Sequence, residues 1–407
     1  MAKHEIMCGL DMGSSQVTCV AGRRDSEDGQ IEIVSGARAY CRGVSGGVVV
    51  NIGEAAQGIK KVIEEIEEKT GEIIHDVYVG LRGSYIETSN NRGMISISRT
   101  DKEITDEDVT NVIENSKAIQ ISHDRDIIDV IPQEFSVDRQ KGVPNPIGMQ
   151  GNYLEAFVHI VTASLTYINN IHKAVTQAGF NAEEFVYSIL GVGDVVVLEE
   201  EKELGCLLID FGGQTTSVAV YSDKSIRFSR ELQLGSDLIT RDISHALRTS
   251  IAQAKEIKER YGVVAPSLVK EDREIEFIGV DGRSHRQTTK KYLADIIGPR
   301  FEEVFEELGN VIRAENYADV IMPGGAIITG GGALIEGCEE ACSQVLGINA
   351  RLGLPQGIKG PNDIVSNPAY AAGIGILKYK SASAMPRSSI RFMPGSSFIR
   401  KIQKFFR

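Results

Sequence analysis

The chain has 407 residues, 42% hydrophobic and 25% charged, which suits a soluble globular protein of roughly two to four domains with ample core. A formal net charge of −12 argues against a general nucleic-acid binder. No apolar run reaches the ~18 residues of a membrane span, no secretion signal opens the chain, and six scattered cysteines fit reduced, buried use.

In chain order, residues 6–22 read as two short strands around a Gly-Ser turn, and 31–50 as further strand material. Helical periodicity follows over Ala55–Glu68, with Ile59, Val62, Ile63 and Ile66 on one face, and DVYVGL (76–81) is a buried strand. From about Ser84 to Met149 the texture changes to a small α+β insertion. It has strand MISISR, a helix capped by Thr105 with an acidic first turn, and strand IIDVIPQEFSVD ended by the Pro-rich GVPNPIGM. Strand FVHIVTA (157–163), a helix over 167–179 and strand-like FVYSIL complete the first half.

The second half opens with strand LLIDFGG after Cys206. A helical stretch covers about 235–262, a charged segment 263–290, and a long helix Tyr292–Glu315 leads into AIITGGGALIEG, a strand–turn–helix unit. AYAAGIGIL (369–377) closes the ordered part. Residues 378–396 read as a Ser/Pro/Lys/Arg-rich linker.

The most informative feature is an internal repeat. Leu10–Ala21 (LDMGSSQVTCVA) and Ile209–Val220 (IDFGGQTTSVAV) lie 199 residues apart and share apolar–Asp–apolar–Gly–small–small/polar followed by a strand. Each predicts a tight hairpin with Gly13 or Gly212 at the turn, whose successive N–H groups and hydroxyls make an anion nest. The preceding Asp11 or Asp210 can hold Mg²⁺ through water, as suits an ion that dehydrates reluctantly. One such turn is ordinary Asp/Gly/Ser turn chemistry; two aligned copies predict a ligand clamped from both sides. Gly330, Gly331 and Gly332, after an apolar strand and before a helix, add a third wall where backbone can approach a flat ligand. This cluster is neither a G-x-G-x-x-G fingerprint nor a Walker A loop.

With these three pieces in order, the chain resembles the actin/Hsp70/sugar-kinase superfamily. The resemblance implies an α/β, actin-like ATPase fold: two RNase H-like halves around a nucleotide cleft, with an α+β insertion in the first half and a smaller one in the second. Phosphate motif 1 would be residues 10–17, phosphate motif 2 residues 208–217 and the adenosine motif 327–337, with connecting helices 167–179 and 369–377. The implied ATP contacts are Asp11, Gly13, Ser14, Ser15, Gln16, Asp210, Gly212, Gly213, Gln214, Thr215, Thr216, Gly235, Lys258, Gly330, Gly331, Gly332 and Ala333, with Mg²⁺ at Asp11 and Asp210.

Within residues 83–160, GSYIETSNNRGMISI, EITDEDV, VIPQEFSVD and PIGMQGNYLEAFVHI look like the SHS2-type domain of the bacterial cell-division FtsA family. The chain departs from that family's frequent residues at Asn152–Tyr153 and Asp129. The implied layout is 1–83 with 161–204 as the first half (1A), 84–160 as the SHS2-type insertion (1C), 205–234 with 301–377 as the second half (2A) and 235–300 as its insertion (2B). Lys258 stands where the family contacts ribose, but its usual Glu partner is replaced by Lys255, and Glu256 lies one position off, about 100° around a helix. Where the Hsp70 branch orients water with an acid, this chain has Ser188, with Glu183 and Glu184 just upstream. Slow ATPase activity or none is therefore expected.

The tail stands apart. Lys378–Arg407 holds eight basic residues and no acid, leaving −20 on the remainder of a chain whose total is −12. On a helix over 397–407, Phe398, Ile399, Ile402, Phe405 and Phe406 fall in an arc of ~120°, while Arg400, Lys401, Lys404 and Arg407 fill the rest. Eleven residues span about 17 Å, too short to cross a bilayer but suited to lying in an anionic lipid surface. Single-helix binding is marginal and a filament would multiply it by avidity. The family resemblance implies an ATP-binding protein that polymerises on the cytoplasmic face of the inner membrane at the division site. Its implied partners are FtsZ, a second copy of itself, anionic lipids and later division membrane proteins. The alternatives are a pilus-assembly platform protein of the same layout, or an active ATPase or sugar kinase.

Overall fold

The computed structural model describes residues 6–24 and 31–381. Two five-stranded sheets repeat one plan. In the first, Ile6–Met12 lies at the centre, the antiparallel hairpin strands Gln16–Arg24 and Ile31–Tyr40 extend to one side, and the parallel strands Asp76–Leu81 and Asn181–Tyr187 to the other. In the second, Cys206–Phe211 is central, Thr216–Ser222 and Ser225–Leu232 form the antiparallel side, and Ala326–Thr329 and Ala350–Leu352 the parallel side. The duplication inferred from two turns therefore extends to whole sheets. Central strands such as LLID are buried on both faces, which explains their continuous apolar runs.

Helix Ile52–Thr70 covers the first sheet with Ile59, Val62, Ile63 and Ile66. The Asn51 side chain accepts from the Glu54 N–H at its start, and Gly71 (φ 69°) closes it in the left-handed region. Helix Leu165–Ala178 packs against it within the first half. The expected connecting helix 167–179 thus does not pair with 369–377. That partner is Ser188–Val196, which packs on Ala371–Ser381 where Gly191 and Gly375 let the two backbones touch: a Cβ on Gly191 would stand 2.6 Å from the Gly375 carbonyl carbon. The segment read as strand-like FVYSIL is strand only to Tyr187. From Ser188 it is a helix buried on nearly every side, so its sequence has no polar face to reveal a 3.6-residue period.

The insertion has its own sheet, ordered Ile86–Ser96, Tyr153–Ser164, Arg125–Val137, Gln140–Val143, and its own core around Ile104, Val112, Phe135 and Leu154. Helix Asp106–Ser116 starts at the Thr105–Asp108 capping box. The insertion docks on the second half along Ser225–Leu232. Thr88 Oγ1 donates to Ser229 O (2.6 Å), Asn90 Nδ2 to Arg227 O (2.8 Å) and Gln133 Nε2 to Ile226 O (2.8 Å). Asp129, one of the two family departures, is buried and accepts from Tyr379 Oη at 2.6 Å, tying the last helix to the insertion.

In the second half the helical stretch 235–262 divides into Asp237–Leu247 and Ile251–Tyr261, broken at Arg248 (φ 52°). The charged segment after it contains the hairpin Glu274–Ile278/His285–Thr289, whose alternate residues Ile275 and Phe277 are buried. The linker does not begin at Lys378. Helix Ala371–Ser381 continues through it, Lys378 Nζ donates to Asp194 O (2.8 Å) and Lys380 pairs with Glu184, so two of the eight tail cations belong to the fold. The rest of the expected linker and the amphipathic segment 397–407 lie outside the described residues. Among the described residues, no helix is long and apolar enough to cross a membrane, and all six cysteines are buried and free.

Candidate functional site

The two hairpins present their turns to each other across the gap between the halves. Asp11 lies opposite Thr18 and Met12 opposite Val17 in the first; Asp210 lies opposite Ser217 and Phe211 opposite Thr216 in the second. Both turns are closed tightly enough to require glycine: a Cβ on Gly13 would stand 2.7 Å from Gln16 O, and one on Gly212 2.6 Å from Thr215 O. The third glycine cluster follows strand Ala326–Thr329, whose Thr329 pairs in register with Asp210. Gly330 has φ +87°, and a Cβ there would meet Asp210 Oδ1 at 2.3 Å. A single 3₁₀ turn, Gly331–Leu334, follows, and the α-helix begins only at Cys338.

Between these elements lies a cavity of about 290 Å³. Of the expected contacts, Asp11, Gly13, Ser14, Ser15, Gln16, Gly212, Gly213, Thr215, Lys258, Gly331 and Gly332 line it. The others act nearby. Asp210 is buried behind the lining, Gly330 packs on it, and Ala333 is in the core of the second half. Thr216 Oγ1 donates to Leu234 O (2.7 Å), and Gly235 lets its strand end approach the turn, a Cβ standing 2.3 Å from Gly213 O. Gln214 turns away to the first half, where its Oε1 accepts from Ser45 Oγ and Gly46 N, both at 2.9 Å.

Lys258 is 6% exposed, and its Nζ donates to Ser236 O (2.8 Å) and Ser236 Oγ (3.1 Å). Burial lowers its pKa to about 8 despite the nearby Asp237. Lys255 lines the cavity and sits over the Tyr40 ring at 5.0 Å; Glu259 lines it as well, whereas Glu256 does not. With Arg38 and Arg82, the lining holds four basic and three acidic side chains, and Arg82 is further balanced by Asp210 and Glu231 behind it. Gln16 Oε1 is buried without a hydrogen-bond partner, a polar atom left for a ligand to satisfy.

Sequence reasoning did not find Arg82, Arg38, Ser236 or Asp237. Arg82 projects from the loop after Asp76–Leu81, where nothing in VGLRGS marks a site residue. Its Nε lies 3.0 Å from Asp11 Oδ1 and its Nη2 donates to Asp210 Oδ2 at 2.9 Å. Glu231, accepting from Gly83 N–H at 2.9 Å, joins this buried cluster. Burial works against the guanidinium charge, but Asp11, Asp210 and Glu231 together hold its pKa above the ordinary value. Burial raises Asp11 and Glu231, with Arg82 opposing. Asp237 accepts from Ser15 Oγ (3.1 and 3.2 Å), a further bond across the cleft. Ser188 is fully buried away from the lining, and Glu184 is paired with Lys380.

Two sheets of one plan, a cleft between them and an α+β insertion define an actin-like protein. Solved structures agree on the fold. The PilM-PilN type IV pilus biogenesis complex matches with a TM-score of 0.67 at 15% identity, over 92% of this chain and 98% of that one. MreB5 of Spiroplasma citri bound to ADP matches with 0.55 at 11% identity, over 92% and 96%.

Sequence likeness is far more specific. A family model for the cell division protein FtsA matches residues 207–375, and one for the SHS2 domain inserted in FtsA matches 83–162. Cell division protein FtsA of Pseudomonas aeruginosa is 34% identical over 397 residues, covering 97% of this chain and 93% of its own. That of Escherichia coli K12 is 30% identical, covering 93% and 91%. The chain belongs to the FtsA family of cell division proteins. The likeness to the pilus protein is one of fold alone.

Proposed function

We propose that this chain binds ATP in the cleft between its halves, polymerises on the cytoplasmic face of the inner membrane at the division site, and anchors FtsZ filaments there. The observation that carries the nucleotide reading is the cavity itself, walled by one Gly-containing turn from each half and by Gly331–Gly332, with Lys258 and the unsatisfied Gln16 Oε1 at its edge. Family membership supports the division role. Asp11 and Asp210 would hold Mg²⁺ through water, sharing their carboxylates with Arg82, and the ion would supply neutralising charge to the phosphates. Asp11, Asp237 and Glu259 are the carboxylates of the lining, and Ser15 already engages Asp237, which supports slow hydrolysis at most. Turnover above about 1 s⁻¹, the low end of ordinary enzymes, would favour an active ATPase instead.

FtsZ docks, in this reading, on the second-half insertion, where Ile251, Ile278, Val280 and Tyr292 expose apolar surface. Anionic lipid is bound by Phe398, Ile399, Ile402, Phe405 and Phe406 with the interleaved cations, and later division proteins join the assembled filament. The test is co-sedimentation of FtsZ filaments with anionic vesicles, with full-length chain and ATP or with a copy truncated after Met393. FtsZ should pellet only with the full-length chain. Pelleting of the chain while FtsZ stays in solution would contradict the anchor role.

A further inference from the structure

Asp237 belongs to the second half by its backbone and reaches the first by its side chain. Its N–H donates to Gly213 O (2.7 Å), and the Ser236 N–H before it donates to Gly212 O (3.0 Å), so this corner is built onto the second turn. A Cβ on Gly213 would stand 2.5 Å from Ser15 Oγ and 3.4 Å from Asp237 Oδ1, so the three meet at one point of the cavity wall. There both carboxylate oxygens accept from Ser15 Oγ, at 3.2 and 3.1 Å. A hydroxyl on a glycine-closed turn suits a phosphate oxygen, and a carboxylate resembles that ligand: anionic, with oxygens that only accept. Ser15 has one hydroxyl proton, so the carboxylate and a phosphate compete for it. Their charges also repel, in a cleft where screening is weak. Lys258 is near enough to feel Asp237, but its Nζ is committed to Ser236 O (2.8 Å) and Ser236 Oγ (3.1 Å). A latch that only held the halves together would act in the opposite sense, since cutting it would loosen the clamp and weaken every ligand.

We propose that Asp237 is a built-in competitor for the phosphate groups: its carboxylate takes the Ser15 donor that a nucleotide phosphate needs, and swings off when nucleotide binds. The inference rests on the cleft being the nucleotide site. It makes Asp237 a residue that sets affinity for the phosphates and not for the nucleoside. The backbone of Asp237 stays on the second turn, so the movement is confined to its side chain.

The test is calorimetric titration of the full-length chain, in Mg²⁺, with the ATP analogue AMPPNP and with adenosine, for wild type, Asp237→Asn and Asp237→Ser. A buffer at about pH 6.5 lies well below the Lys258 pKa of about 8, so that lysine stays charged when the neighbouring acid is removed. Both variants should bind AMPPNP about fivefold or more tightly than wild type, while adenosine gains nothing. Unchanged or weaker AMPPNP binding in a folded variant overturns the proposal and leaves the nucleotide site standing. Equal tightening of adenosine also overturns it, because the gain would then come from a looser cleft. In wild type, a crystal structure with Mg²⁺ and AMPPNP should show Ser15 Oγ parted from Asp237. Retention of that contact beside bound phosphates overturns the proposal whether or not the variants fold. Absence of AMPPNP binding to wild type overturns the site reading and this inference with it.

Discussion

The turn at Gly13 and the turn at Gly212 have the same backbone and different side-chain duties. In each, an Asp stands opposite a hydroxyl residue on the return strand, and a glycine closes against a carbonyl at 2.7 or 2.6 Å. The first turn then sends Ser15 across to Asp237 and has Ser14 accept from Gly47 N–H (3.2 Å) within its own half. The second sends Gln214 across to Ser45 and Gly46. Backbone geometry leaves few residue choices, so the repeat survives in the sequence. The latches depend only on what stands opposite, so they differ. Arg82, belonging to neither turn, is the piece that makes the two equivalent, since it pairs both aspartates.

Removing that piece should have the largest effect. Arg82→Gln leaves Asp11, Asp210 and Glu231 buried without their cation, where breaking such a pair costs about 3–5 kcal/mol; rewetting through cleft opening favours the lower end. Burial raises the pKa of Asp11 and Glu231, so the folded state holds their protons more tightly than the unfolded chain does and stability falls as pH rises past their ordinary values. Chemical denaturation should therefore show a smaller gap between variant and wild type at pH 5 than at pH 8. An equal gap would show that the cluster is not what Arg82 neutralises.

The second hairpin carries a further load that the first does not. His159 of the insertion is 1% exposed and contacts Asn90 Oδ1 (2.7 Å) and Ser229 Oγ (2.8 Å), and burial lowers its pKa to about 4. A depressed histidine contributes stability above its ordinary pKa of about 6.5 that is lost as pH falls toward about 4. That loss is about 2 kcal/mol by pH 5 at ~1.4 kcal/mol per unit. His159→Gln should flatten the melting temperature between pH 7 and pH 5, and an unchanged slope would assign the pH dependence elsewhere.

The latches themselves are smaller, about 1 kcal/mol for each hydrogen bond lost. Gln214→Ala should quicken amide exchange at Ser45–Gly47, whereas Ser15→Ala should leave that segment unchanged and loosen the start of helix Asp237–Leu247. Equal effects of both variants on both segments would mean that the two turns do not latch separately. Smallest is the titration of Lys258. With a pKa of about 8, it loses charge between pH 7 and 9, so AMPPNP affinity should fall about threefold over that range and Lys258→Gln should remove the trend.

Much of this architecture was legible in the sequence for identifiable reasons. The Asp-Gly repeat and the amphipathic helix Ile52–Thr70 carry strong local patterns, and the insertion's Thr105 cap marked its helix start. The helix Ser188–Val196 was hidden because it is buried all round, so its segment reads as strand and the connecting helix is placed at 167–179 instead. The break at Arg248 was hidden because a left-handed non-glycine leaves no signature. Of the cavity's lining, the residues fixed by backbone demands, such as Gly13, Gly212 and Gly331, were legible. Arg82, Arg38 and Asp237 were not, because an ordinary charged residue becomes a site residue only through the tertiary fold that surrounds it.

Whether both turns serve one nucleotide is tested most directly by calorimetric titration of AMPPNP into wild type, Gly13→Ala and Gly212→Ala. Each added methyl meets a backbone carbonyl at 2.7 or 2.6 Å and must displace its own turn. One molecule should bind per wild-type chain, and each variant should lose about tenfold or more in affinity while remaining folded by circular dichroism. Wild-type affinity in either folded variant would contradict a cleft clamped from both sides.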